Sequence, residues 1–115
     1  MAGLRVERRA GLLVDTRAYG DTFIVALSGE LDSASEPTVR DALARADQAE
    51  PRRLIIDLRE LTFIDSTGLH LLASVCEHCR REGLPKLHLR PAPEPVHRTF
   101  QLTGLEQRLP FLSGS

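Results

Sequence analysis

A short branched apolar run, Leu54-Ile55-Ile56-Asp57-Leu58, is followed within a few residues by a segment of helical period, and Phe63-Ile64-Asp65-Ser66-Thr67-Gly68-Leu69 forms the junction. A buried strand that leads directly into a helix narrows the possible folds sharply, because its neighbour in the sheet must be reached by a crossover. The run from Leu69 to Glu82 is predicted to be helical, and Gly83 is well placed for a left-handed C-cap. Asp65 or Ser66 therefore stands at or next to the N-cap, where a side-chain oxygen accepts from the free amides of the first turn. Capping alone accounts for a serine at this position. A hydroxyl between a carboxylate and a glycine at a helix start is equally a place where a switch can be built.

The flanking segments extend the pattern. Leu12 to Arg17 and Thr22 to Ser28 read as strands joined by a hairpin turn at Tyr19-Gly20-Asp21. Ser33-Ala34-Ser35-Glu36 fits a capping box, with the serine on a free amide and the glutamate reaching back. Val39, Ala42, Leu43 and Ala46 then repeat at helical spacing, and this helix is predicted to end near Ala49, ahead of Pro51. Pro37 is tolerable in a first turn, where no intrahelical donor bond is lost. Lys86 to Arg90 reads as a further strand. Pro91-Ala92-Pro93-Glu94-Pro95 forces a turn before a last helix from about Glu94 to Thr103, closed by Gly104. The expected fold is α/β: a mixed, mostly parallel sheet of four to five strands with an antiparallel opening hairpin, its helices mainly on one face.

Composition limits what such a chain can do. At 115 residues, with 42% apolar and 27% charged residues, it is expected to be one soluble domain spanning residues 1–115, with its core over about 12–112. Fifteen basic and sixteen acidic residues leave a net charge of −1, so no overall field favours nucleic acid or an anionic membrane. Arg5, Arg8 and Arg9 cluster near the start, where a solvated, partly frayed terminus is expected. No apolar run approaches the roughly 20 residues needed to span a bilayer, and the N-terminus lacks a signal-peptide centre. The cytoplasm is the expected compartment.

Several chemistries can be weighed against these residues. Cys76 and Cys79 lie in mid-helix, in step with Leu69 and Leu72, rather than at a helix N-terminus where a redox thiol is activated. Buried, inert thiols are expected. His70, His78, His88 and His97 show no paired ligand spacing, so no metal is expected and each reads as a surface or edge residue. Asp57, Glu60 and Asp65 suit strand-end solvation and capping. Ser66 lacks the Gly-x-Ser-x-Gly elbow of hydrolases, no histidine can be assigned to it, and no phosphate-binding glycine loop is present. Catalysis is therefore not expected.

Three motifs share an order and a spacing. Gly29-Glu30-Leu31-Asp32, then Asp65-Ser66-Thr67-Gly68-Leu69, then Leu102-Thr103-Gly104-Leu105 resemble the STAS domain of bacterial anti-sigma factor antagonists, and the resemblance runs from about Leu12 to Phe111. It implies a regulatory protein rather than an enzyme. Its unphosphorylated form would bind an anti-sigma factor, a serine kinase of histidine-kinase-like ATPase fold, and so release a sigma factor. Ser66 would be the phosphorylation site, with a phosphatase to reset it; the choice of Ser66 over Thr67 rests on the family's pattern. The resemblance further implies that Asp65 orients Ser66, that Thr67 and Gly68 line the docking surface, and that Glu30 and Asp32 belong to a neighbouring partner-binding loop. No cofactor, direct nucleic-acid contact or membrane is implied. The alternative within the family is a constitutive STAS adaptor in a transport or signalling assembly, whose equivalent surface is never phosphorylated.

Overall fold

The computed structural model describes residues 2–113. Three strands, β1 (Ala2–Arg9), β2 (Leu12–Tyr19) and β3 (Thr22–Leu31), precede α1 (Glu36–Gln48). Strand β4 (Arg53–Ile64), α2 (Ser66–Glu82), β5 (Lys86–Arg90), α3 (Glu94–Leu102) and a 3-10 turn at Leu105–Gln107 complete the order. The strands form one sheet in the order β1-β2-β3-β4-β5, antiparallel from β1 to β3 and parallel from β3 to β5. This is the mixed sheet that the segment pattern predicts.

Burial alternates along the strands, as a sheet covered mainly on one face requires. Leu12, Val14, Phe23, Val25, Leu54, Ile56, Leu87 and Leu89 are buried, whereas Leu13, Ile24, Ile55 and His88 between them are only partly so. The buried set meets Val39, Ala42 and Ala46 of α1, and Leu69, Leu72, Cys76 and Cys79 of α2, in one core cluster. Glu7 of β1 lies opposite Val14 and forms a 3.0 Å ion pair with Arg45, which ties α1 over the same face. Each aliphatic side chain fully buried there contributes roughly 1.5–3 kcal/mol.

The structure corrects several expectations. The N-terminus does not fray: residues 2–9 pair with β2 as the edge strand, and Arg5, Arg8 and Arg9 lie on it. Strand β4 continues past Leu58 to Ile64, because its far end pairs with the end of β3. Two residues of β4 are extra in that pairing, one between Asp57 and Glu60 and one between Leu61 and Phe63. Such bulges lengthen and bend a strand without ending it.

Asp57 at the first bulge is buried rather than solvated at a strand end. Its Oδ1 accepts from the Arg59 amide at 3.0 Å, while Arg59 Nη2 and Arg90 Nη1 donate to its Oδ2 at 2.9 and 3.3 Å. Burial raises this carboxyl, but the hydrogen bonds from Arg59 and Arg90 prevail and hold it below the usual aspartate range.

The capping box also fails to form. The Asp32 Oδ1 accepts from the amides of Ala34 and Ser35 at 3.0 and 3.1 Å, and the Ser35 hydroxyl donates to the Glu30 carbonyl at 2.7 Å. Ser35 is the N-cap residue and makes no side-chain cap bond, and Glu36 instead pairs with Arg40 at 2.8 Å. The Glu36 amide that a Ser33 cap would need donates instead to the Asp32 carbonyl at 2.8 Å, while the Asp32 side chain closes the loop as an Asx turn. His97 is the remaining departure. It is half-buried, its Nε2 lies 2.8 Å from Glu106 Oε2, and its ring packs against Phe100 and Phe111.

Candidate functional site

Parallel pairing of β3 with β4 aligns Glu30 with Phe63 and Leu31 with Ile64, so the two strands end side by side. The Asp65 amide donates to the Leu31 carbonyl at 3.2 Å, which joins the loop after β3 to the start of α2. Loops beyond the carboxyl ends of parallel strands are where α/β sheets usually place their binding sites. The structure thus brings Glu30, Asp32, Asp65, Ser66, Thr67 and Gly68 to one end of the sheet.

Asp65, rather than Ser66, is the N-cap of α2. Its backbone is extended, and its Oδ1 accepts from the Gly68 amide at 3.1 Å. Ser66 is then the first helical residue and is exposed. Its own amide and that of Thr67 belong to the first turn, where the helix supplies no acceptor. The first turn carries no acidic residue, unlike that of α1, which has Glu36, or of α3, which has Glu94. The positive end of the helix dipole therefore faces outward beside the Ser66 hydroxyl, offset by the carboxylate of Asp65.

The remaining predicted residues divide by role. Thr67 is half-buried. Gly68 is buried, and a Cβ there would lie 2.7 Å from Ile64 Cγ1 and 2.8 Å from Leu31 Cγ. The close approach it permits is that of the protein's own core. Asp32 shapes its own loop through the Ala34 and Ser35 amides. Glu30 is exposed, and its carboxylate lies against Gly11 in the turn between β1 and β2.

Sequence reasoning missed one residue. Phe63 stands 48% exposed, two positions before the cap and in register with Glu30. The signal lay in the order Phe63-Ile64: neighbouring strand residues point to opposite faces, so burial of Ile64 sends Phe63 outward. The two cysteines, by contrast, lie where the helical spacing put them. Cys76 and Cys79 are free and buried, and burial pushes the Cys76 thiol up to about 12. Among the described residues, no three of His, Cys, Asp and Glu are grouped to hold a metal ion, and no helix is long and apolar enough to cross a membrane.

Comparison with known proteins supplies a context for this geometry. The family model described as "STAS domain" matches residues 14–113. An anti-sigma-B factor antagonist of Staphylococcus epidermidis is 25% identical over 104 residues, covering 90% of this chain and 95% of that protein. The crystal structure of an anti-sigma factor antagonist from Mycobacterium paratuberculosis superposes with a TM-score of 0.77 at 27% identity, over 90% of this chain and 86% of the other. The anti-sigma factor antagonist SpoIIAA in its unphosphorylated form gives a TM-score of 0.65 at 21% identity, over 98% and 89% of the two chains. At that identity the likeness is one of fold.

Proposed function

The chain belongs to the STAS domain family, and from that membership we propose that it is an anti-sigma factor antagonist switched by phosphorylation of Ser66. The unphosphorylated form binds an anti-sigma factor that is also a serine kinase of histidine-kinase-like ATPase fold, and thereby frees a sigma factor. The kinase transfers a phosphoryl group from ATP to the Ser66 hydroxyl, and a phosphatase removes it. The observation that carries this proposal is the exposure of Ser66 at the first position of α2, beside a cap that Asp65 supplies.

The physics of modification follows from that position. Phosphate adds about −1.5 to −2 charges and three strong acceptors. The dipole and first-turn amides of α2 favour that charge, while Asp65 opposes it and steers it away from the cap. The fold survives because Ser66 bears no part of the core. A partner packed over Ser66, Thr67, Phe63 and the loop bearing Glu30 and Asp32 would meet a dianion where it had met a hydroxyl. Phe63 gives that surface an apolar anchor of the kind that dominates interface energetics.

Incubation with candidate ATPase partners and ATP, followed by mass-spectrometric mapping, tests the proposal. One added phosphoryl group on Ser66, with loss of partner affinity, is the expected result. Modification of Thr67 would move the acceptor by one residue. Tight binding without any phosphorylation would instead favour a constitutive adaptor.

A further inference from the structure

A groove of about 1100 Å³ opens between the C-terminal half of α2, the start of β5 and the segment after α3. Arg80, Arg81, Lys86 and Arg108 line it, and Glu77 lines it too, paired with Arg80 and Arg81. Four cations thus face one carboxylate in a chain whose net charge is −1. Leu105 and Leu109, both half-buried, form an apolar wall to the same groove. Like charges gathered over an apolar wall repel one another and raise the local attraction for an anion.

We infer that this groove is a second docking surface, which takes an acidic amphipathic segment of a partner protein. Charge complementarity calls for an acidic ligand, and the leucine wall calls for an apolar stripe on it. The open form favours a peptide: small-molecule sites bury most of their ligand, whereas an amphipathic helix needs to bury one face. The groove has no aromatic residue on which a base could stack, and a flat lipid surface cannot reach into a concavity. Arg80 stands fourteen residues beyond Ser66 on α2, about 21 Å along the helix at its usual rise. That distance exceeds the Debye length of roughly 8 Å at physiological salt. Direct electrostatic coupling between the groove's cations and Ser66 is therefore screened, and occupancy of the groove is expected not to depend on the charge at Ser66.

The probe is a short, fluorescein-labelled helix-forming peptide with leucines on one face and glutamates on the other. A scrambled peptide of identical composition, phosphatidylglycerol vesicles and single-stranded DNA serve as comparisons. Nitrogen-15 spectra of the full chain should show shifts centred on Arg80, Arg81, Lys86, Arg108 and Leu109. Affinity should exceed that for the scrambled peptide, fall roughly tenfold or more in Arg81→Glu/Arg108→Glu, and stay unchanged in Ser66→Glu. Arg81 and Arg108 are both exposed, so a circular-dichroism melt matching the wild type is expected of the double variant. Equal binding of the scrambled peptide would reduce the groove to a non-specific charge patch. Shifts confined to another surface, an unaltered affinity of the double variant, or preferential binding of vesicles or DNA would each overturn the proposal. Loss of peptide binding in Ser66→Glu would overturn the independence of the two sites.

Discussion

Gly68 packs against Leu31 so closely that a Cβ at position 68 would lie 2.8 Å from the Leu31 Cγ, a separation that real Cβ atoms essentially never show. The start of α2 is thereby held against the end of β3, and the exposed face of the same turn carries Ser66. Gly68→Ala should destabilise the protein by about 1–3 kcal/mol through overpacking, even though alanine is the better helix former by about 1 kcal/mol. A urea titration compares the two midpoints. A more stable Ala variant would show that Leu31 and Ile64 can yield, and the contact would not be what positions Ser66.

Asp65 and Ser66 should separate stability from switching. Asp65→Ala removes the acceptor for the Gly68 amide and should cost about 1 kcal/mol, as loss of an N-cap usually does. Ser66→Ala lies on the surface and should stay within about 0.5 kcal/mol of wild type, yet take up no phosphate from the kinase. Denaturation curves and intact-mass spectra read the two effects independently.

Ser66→Glu should weaken anti-sigma binding while leaving the melting temperature close to wild type. A carboxylate carries about half the charge of a phosphate and fewer acceptors, so a partial loss of affinity is expected. Calorimetry decides it, and equal affinities would remove the electrostatic basis of the switch.

Asp57 predicts a pH dependence on the acid side. Its folded carboxyl is held low by Arg59 and Arg90 against the opposing effect of burial. A depressed folded pKa stabilises the protein above the unfolded value of about 3.9, and that contribution is lost as pH falls through the folded value. Asp57→Asn should be less stable at neutral pH and show a flatter decline between neutral and acid conditions. Urea midpoints across the acid range provide the comparison, and parallel curves would exclude the linkage.

The opposite sign applies at Cys76. Burial, assisted by nearby Cys79, raises its thiol to about 12. The stabilisation from keeping it protonated is complete below the unfolded value of about 8.5 and is lost as pH rises towards 12. At pH 8 iodoacetamide should label Cys76 slowly in the native protein and rapidly in urea. Fast native labelling would place the thiol at the surface of α2.

What the sequence determined by itself is the set of features decided within a few residues. The hairpin turn at Gly20, the left-handed cap at Gly83 and the inward face of α2 with Cys76 and Cys79 all depend on local backbone preference or helical period. The junction at Asp65-Ser66 belongs with them, because an N-cap is satisfied by amides one turn away. The tertiary structure decided what needs a distant partner. Strand β4 reaches Ile64 because β3 offers it a ladder, and residues 2–9 become a strand because β2 does. Asp32, rather than a capping box, orders the loop before α1, its carbonyl taking the Glu36 amide while the Ser35 hydroxyl ties the loop to the end of β3. Gly68 turns inward and Phe63 outward because the core meets the end of the sheet there. Hydrogen-bond ladders and core contacts join residues far apart in the chain, and no local pattern specifies which of them will meet.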